Sequence, residues 1–455
     1  MRLVIAKLLL PEEFGLIGMA VVFTGLVNTI SELGMGAALI QRKNSDLGEQ
    51  HFNTVFWIST VFGFCTFLIM FFLVAPIAAN FYNEPLLKQV IWVLSIPMFL
   101  NPLTLIHRVK LNRAVNFKPI AISGIAGSLV SGVCSIIMAL LGFGVWSVAF
   151  QGVISTLITV PFMWLAVKWI PQKSFSWSAF KDVFSFGFFV LIKNITIFFV
   201  GNVDYLIIGK MMGSYYVGIY SFAFILTDIF RSQLMAILNK VMFPVYSGVQ
   251  STPETAGRYY LKIVRYNTLF IYPIMIGMFI YAAPFTNIFF GEKWAESVVP
   301  LQILSIAVMF HLASGSLSTV LTGVGKAKTD FYIYLLKTFV ITVPALLILI
   351  RIWGINGAAI ATLASKILSF IINNMVAKKY IYVGNGNIIK TISPAVLGSL
   401  AMIGLSFLLM NLFDTPRNIW SLVMYAIISL IIYSSVVFPF VKKEIIVMWK
   451  SRKIA

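Results

Sequence analysis

Long apolar stretches separated by short polar segments run along the whole chain. A helix that crosses the hydrocarbon core of a bilayer needs about 20 mostly apolar residues. By that criterion the sequence predicts about thirteen membrane spans, at 15–41, 54–80, 86–106, 119–141, 144–167, 183–209, 216–238, 261–284, 297–321, 331–350, 355–377, 389–413 and 419–441. The connections are short, so we expect an all-α, polytopic membrane helix bundle without a soluble domain.

Composition excludes a soluble protein. Of the 455 residues, 60% are hydrophobic and only 11% are charged, whereas soluble domains are about 45–50% apolar and about 25% charged. The two cysteines, Cys65 and Cys134, both lie in apolar stretches, which indicates neither a disulfide framework nor a thiolate metal site. We therefore expect no metal and no cofactor.

The distribution of basic residues between alternate loops orients the chain. One set of loops holds 23 Lys and Arg residues, and the opposite set holds five. Cytoplasmic loops collect Lys and Arg, so the first set, which includes the tail from Lys442 onward, is expected in the cytoplasm together with the C-terminus. This asymmetry also explains most of the net charge of +19 without a nucleic-acid partner.

An internal repeat appears when the chain is shifted by 203 residues. Leu3, Ile5, Lys7, Gly15 and Ala20 then fall on Leu206, Ile208, Lys210, Gly218 and Ala223. Met1 aligns with Asp204, near the end of a complete span in the second copy, so the first copy is expected to lack most of its first helix. The resulting domains are an N-terminal lobe at 1–168, a C-terminal lobe at 169–380, and two further helices with a basic cytoplasmic tail at 381–455.

Charged residues within the apolar spans mark the candidate site. A charge at the bilayer centre costs about 2.5–3.5 kcal/mol or more, so such residues are expected to face a bundle interior or a wet cavity. They are the bases Lys193, Arg231, Lys337 and Lys366, and the acids Glu32, Asp204 and Asp228.

Spacing groups several of these residues on common helix faces. Lys193 and Asp204 are about three helical turns apart, with Asn194 beside the lysine. Asp228 and Arg231 are spaced i, i+3 and can neutralise each other, so a purely structural pair is the alternative interpretation. Asp204 has an interfacial alternative, and Lys337 could instead reach toward the headgroups.

Motifs for soluble enzymes are not matched. Gly323-Val324-Gly325-Lys326 lacks the earlier glycine of a phosphate-binding loop, because position 320 is Val320. The sequence has no HExxH motif and no metal-spaced His/Cys cluster. His311 falls within a span, where a proton relay is the less favoured interpretation. We therefore expect no enzymatic activity.

Family-like motifs lie at Pro11–Ala20 and Ala37–Gln41, at Asn202–Lys210 and Gly218–Tyr220, and at Phe290–Trp294. With them the chain resembles the Wzx-type polysaccharide flippases of the MOP superfamily, which also contains multidrug exporters. The resemblance implies two six-helix lobes plus two helices. It also implies movement of an undecaprenyl-diphosphate-linked oligosaccharide repeat unit from the cytoplasmic to the periplasmic leaflet by ion-coupled alternating access. The resemblance implies a location in the bacterial inner membrane. It also implies a polysaccharide polymerase and chain-length proteins as partners.

An anionic lipid-linked substrate suits a cavity with an excess of bases. The residues expected to bind the diphosphate or acidic sugars are Lys193, Lys366, Arg231, Lys337 and Asn194. Glu32, Asp204 and Asp228 are the ion-coupling candidates. Three alternatives remain: a multidrug/cation antiporter on the same fold, a polysaccharide polymerase or ligase, and an inactive truncated remnant. An antiporter would be expected to carry unpaired acids, and a polymerase or ligase a large outer loop.

Overall fold

A computed structural model of the chain describes residues 2–31, 35–42, 47–181, 195–196, 198–249 and 252–452. Over these residues the secondary structure is helical, with no β-strand. The chain divides into two compact units, Met1–Gly218 and Ile219–Ala455. The lobe boundaries at 168 and 380 stay predictions.

Ten helices of the first unit have both ends within the described residues. They are α1 (Arg2–Leu8), α2 (Pro11–Ser31), α3 (Met35–Gln41), α4 (Glu49–Ile69), α5 (Ala75–Tyr82), α6 (Pro85–Leu100), α7 (Pro102–Arg113), α8 (Lys118–Leu140), α9 (Val145–Ala166) and α10 (Val203–Met212). A π-helical turn, Met70–Val74, joins α4 to α5.

Helix α11 (Ser214–Gly248) begins in the first unit and continues into the second. The second unit also contains α12 (Pro253–Ile280), α13 (Ala282–Phe289), α14 (Val298–Ser314), α15 (Leu317–Gly323), α16 (Ala327–Leu336), α17 (Val343–Ile381), α18 (Asn385–Phe413) and α19 (Ile419–Arg452). A 3-10 helix, Glu292–Ser297, precedes α14, and a π-helical turn, Lys337–Thr342, joins α16 to α17.

The expected membrane helix bundle is confirmed. Eight helices among the described residues are long and apolar enough to cross a membrane, or nine if the pair α6 and α7, bent by 45°, is one span. Two predicted spans, 331–350 and 355–377, fall in one continuous stretch, Lys328–Ile381, that reverses at Trp353 and Gly354. This stretch counts once, and the predicted spans 15–41, 183–209 and 216–238 are not among the eight or nine, so the two counts differ.

Matching turns recur in the two units at a spacing of 210 residues, seven more than the predicted shift of 203. Helices α7 and α15 both end in a turn closed by the same pair of backbone hydrogen bonds, and the left-handed residue is Val115 in the first turn and Gly325 in the second. The reversal after α8 places Gly144 at φ 52° and ψ −128°, and the reversal within α17 places Gly354 at φ 56° and ψ −134°. Glycine suits such backbone conformations because it has no Cβ.

Residues related by the repeat meet at a close crossing of α2 with the first turn of α11. A Cβ built on Gly15 would lie 1.8 Å from the carbonyl oxygen of Ser214, and one built on Gly218 would lie 1.8 Å from that of Pro11. These four residues form two repeat-related pairs, because Pro11 and Gly15 shift onto Ser214 and Gly218. The two backbones approach reciprocally, and only glycine fits at either position.

The motif Phe290–Trp294 packs against α11 in the second unit. Trp294 is fully buried and its ring stacks on Phe222 of α11, with centroids 4.3 Å apart. Phe290 packs edge-on against the same ring. The left-handed Gly291 lets the chain turn between these two aromatic residues. The motif therefore fixes the 3-10 helix against α11, the helix that carries Asp228 and Arg231.

Candidate functional site

An ion pair on α11 forms the centre of the candidate site in the second unit. The Arg231 Nε donates to Asp228 Oδ1 at 2.7 Å, and its Nη2 donates to the same oxygen. The i, i+3 spacing brings these side chains onto one helix face, as the sequence predicts. The side chains keep 28% and 26% of their accessible surface, so the pair can be reached by a ligand.

His311 of α14 contacts the same guanidinium group. Its Nε2 lies 3.2 Å from Arg231 Nη1. Lys366, Arg231 and Lys337 are all close enough to act electrostatically on the imidazole ring. Residues from α11, α14, α17 and the π-helical turn are thus brought together in one cluster.

A second set of contacts extends this cluster along α17. The Lys337 Nζ donates to Asn373 Oδ1 at 3.0 Å, and the Asn373 Nδ2 donates to Ser314 Oγ at 3.1 Å. Lys366 and Asn373 are about two helical turns apart, which places them on the same face of α17. Lys337 is the first residue of the π-helical turn, a type of distortion that is frequent at functional sites.

We call this group the cationic cluster: Arg231, Lys337, Lys366, Asp228, His311 and Asn373. Among its described members the bases outnumber the acid Asp228 three to one, and Asp330 of α16 also acts electrostatically on Lys337. A guanidinium group and two ammonium groups within a membrane bundle suit a phosphate or carboxylate ligand.

Four of the predicted site residues lie outside the cationic cluster or outside the described part of the chain. Lys193, Asn194 and Glu32 are outside the described residues. Asp204 belongs to the first unit, where it lies in the first turn of α10 and its carboxylate accepts the backbone N–H of Tyr205 at 3.0 Å. An acid in the first turn interacts favourably with the helix dipole.

The remaining predicted residues, Arg231, Asp228, Lys337 and Lys366, are assembled in the cationic cluster. Two members of the cluster, His311 and Asn373, are not among the predicted binding residues. The signal that the sequence offers for His311 is its position within a predicted span. Its contact with a residue 80 positions away could not be read from local spacing.

Comparison with known proteins identifies the family. The family described as "Polysaccharide biosynthesis protein" matches residues 4–299. The chain is 26% identical over 314 residues to the teichuronic acid biosynthesis protein TuaB of Bacillus subtilis, an alignment that covers 68% of this chain and 64% of TuaB. It is 22% identical over 382 residues to the lipopolysaccharide biosynthesis protein WzxC of Escherichia coli, covering 83% of this chain and 76% of WzxC.

Solved structures show the same fold. The lipid II flippase MurJ, in an inward closed conformation, superposes with a TM-score of 0.76 at 15% identity, covering 98% of this chain and 97% of MurJ. An inward-facing multidrug-resistance MATE transporter of the MOP superfamily superposes with a TM-score of 0.68 at 15% identity, covering 84% and 94%. The chain belongs to the polysaccharide biosynthesis protein family and has the fold of the MOP superfamily.

Proposed function

We propose that this protein is a flippase for a lipid-linked oligosaccharide. The substrate would be an undecaprenyl-diphosphate-linked repeat unit, moved from the cytoplasmic to the periplasmic leaflet for O-antigen, capsule or exopolysaccharide synthesis. The observation that carries the proposal is the cationic cluster among membrane-spanning helices, in a family of polysaccharide biosynthesis proteins. The activity is transport and not catalysis.

The diphosphate is the part of the substrate that the cationic cluster suits. Arginine presents planar donors that match a phosphate group in pairs, and lysine supplies a compact charge. Arg231 would therefore orient the diphosphate while Lys337 and Lys366 neutralise it. Lys193 and Asn194 are proposed as further substrate-binding residues on sequence grounds.

Ion coupling is part of the same proposal. Glu32, Asp204 and Asp228 are the candidate coupling residues, and the transport cycle is alternating access. The excess of bases in the cationic cluster argues against the alternative of a cation antiporter, because an organic cation would be repelled there.

The surroundings of the protein follow from its charge distribution and relatives. We place it in the inner membrane with a cytoplasmic C-terminus, since the basic residues collect on that side. A polysaccharide polymerase and chain-length proteins are the proposed partners, because they would consume the transported unit.

The test is made in a strain that lacks this gene. Undecaprenyl-linked oligosaccharide should accumulate on the cytoplasmic leaflet, and the plasmid-borne gene should relieve the accumulation. Lys193→Ala and Lys366→Ala should fail to relieve it although the variants are expressed normally. Lys378→Ala, which removes an exposed lysine from the same helix as Lys366, is the matched control and should act as wild type.

Two results would contradict the proposal. Full surface polysaccharide from both Lys193→Ala and Lys366→Ala would remove the role of the basic residues. A deletion strain that shows no lipid-linked accumulation but becomes sensitive to cationic drugs would favour the antiporter.

A further inference from the structure

Arg231 is held from two sides by residues of different helices. Asp228 accepts from Nε and Nη2, and His311 Nε2 lies 3.2 Å from Nη1. An arginine side chain has five N–H donors, no acceptor, and does not lose its charge in proteins. His311 Nε2 must therefore be the acceptor, which requires a neutral imidazole with its proton on Nδ1.

The position of the imidazole is constrained by its own helix. A Cβ built on Gly315 would lie 3.4 Å from His311 Nε2 and 2.6 Å from the His311 carbonyl oxygen. The ring thus packs over the next turn at a residue without a side chain. A Cβ at 315 would be in ordinary van der Waals contact with the ring and too close only to the carbonyl oxygen.

These contacts leave part of the guanidinium group available. The hydrogen bonds of the described residues engage three of the five Arg231 N–H groups, two with Asp228 and one with His311. Two N–H groups, in a guanidinium that is fixed on both sides, remain to meet a phosphate.

We propose that His311 is a proton-sensitive positioning residue: when neutral it orients Arg231 for the diphosphate, and when protonated it adds a further positive charge beside the bound anion. This inference rests on the proposed function, and it assigns a role to a residue outside the predicted set. Protonation turns Nε2 into a donor, so the hydrogen bond to Arg231 breaks and the imidazolium itself becomes available to the anion.

The charged surroundings of His311 make this change consequential. Within the described residues, α11 presents Asp228 and Arg231, and Lys337 and Lys366 come from the π-helical turn and α17. Helix α12 contributes Tyr272, whose hydroxyl donates to the carbonyl oxygen of Met309. Helix α13 carries no charged residue, and the 3-10 helix with Glu292, Lys293 and Glu296 precedes the opposite end of α14.

A proton on His311 and an anion in the cationic cluster therefore favour each other. Three bases repel an imidazolium, and a bound diphosphate offsets that repulsion. Linkage is reciprocal, so we expect the affinity for the anion to rise as His311 becomes protonated, because the added charge acts directly on the anion while the lost hydrogen bond acts only through Arg231. Couplings between two binding events are commonly about 5- to 150-fold, and we expect about tenfold here.

The experiment measures binding to the purified full-length protein in lipid nanodiscs. The probe is farnesyl diphosphoglucose, whose diphosphate is esterified at both ends, so each phosphate lacks the second ionisation of a phosphate monoester. Its affinity is measured from about pH 8 to about pH 5, the range in which histidine changes charge. Wild type should bind about tenfold more tightly at the acidic end.

Two substitutions at His311 separate its two roles. His311→Gln keeps an acceptor for Arg231 but cannot titrate, so it should bind as wild type does at about pH 8 and show no rise on acidification. His311→Leu removes the acceptor and should bind more weakly across the range. His51→Gln, at the start of α4, is the control and should keep the wild-type profile.

The outcomes distinguish this inference from the proposed function. If wild type binds the probe with an affinity that does not change with pH, or if His311→Gln retains the wild-type pH profile, the role of His311 is refuted and the flippase proposal stands. If wild type does not bind the probe at any pH, the diphosphate site itself is refuted. The deciding comparison is the pH profile within each folded variant, so differences in stability between variants do not imitate the result.

Discussion

Replacing either glycine at the crossing of α2 and α11 should weaken the packing of these two helices. Gly15→Ala places a methyl group where the Ser214 carbonyl oxygen lies, and Gly218→Ala does the same toward Pro11. The obstructing atoms belong to the backbone, so they cannot rotate away as a flexible side chain would.

The size of the effect follows from the geometry. The added carbon would start 1.8 Å from the opposing oxygen, and real Cβ atoms essentially never come closer than 3.0 Å, so the backbones must separate by at least about 1.2 Å. Overpacking a well-packed site typically costs about 1–3 kcal/mol. We expect about 3 kcal/mol for each substitution, since a whole helix must move.

The effects of Gly15→Ala and Gly218→Ala on the free energy of unfolding should also be strongly non-additive. One separation of the helices makes room at both positions, so the double variant should lose clearly less stability than the sum of the two single variants. The assay is the free energy of unfolding of the full-length protein in mixed detergent micelles, together with relief of lipid-linked accumulation in the deletion strain.

Gly124→Ala is the matched control for this series. Gly124 lies on an exposed face of α8, where an added Cβ meets no atom within 4 Å. Alanine there should be neutral or stabilising by about 0.5–1 kcal/mol, because glycine is unfavourable within a helix. Stabilities for Gly15→Ala and Gly218→Ala equal to that of the control, or a strictly additive double variant, would refute the reasoning.

Two further predictions concern stability within single units. Val115→Gly should stabilise the protein by about 0.5–1 kcal/mol, because a β-branched residue at φ 53° is strained, and the repeat-related Gly325→Val should destabilise it by about 1–2 kcal/mol; a lower unfolding temperature for Val115→Gly would contradict this. Tyr281→Phe should cost about 0.5–1.5 kcal/mol, because the Tyr281 hydroxyl bonds to both Ser406 and Ser429 and so ties α18 and α19 to the junction of α12 and α13. Tyr332→Phe, at an exposed tyrosine, is its control, and equal unfolding temperatures for the two variants would refute the role of these hydrogen bonds.

Local spacing along one helix accounts for some of the contacts in the candidate site. Asp228 and Arg231 are one turn apart, so any helix over these residues brings them together, and the ion pair is present. Lys366 and Asn373 share a face of α17 for the same reason. The length of each apolar stretch is also a local property, and it predicted the membrane bundle.

The sequence by itself determined the membrane class, the family-like motifs and a repeat that relates Gly15 to Gly218. Only the tertiary structure decided that His311 accepts from Arg231, and that Lys337 bonds to Asn373, a residue 36 positions away. The physical reason is that spacing along one helix fixes which side chains share its face. How neighbouring helices rotate and pack fixes which faces meet, and many weak contacts throughout the bundle decide that.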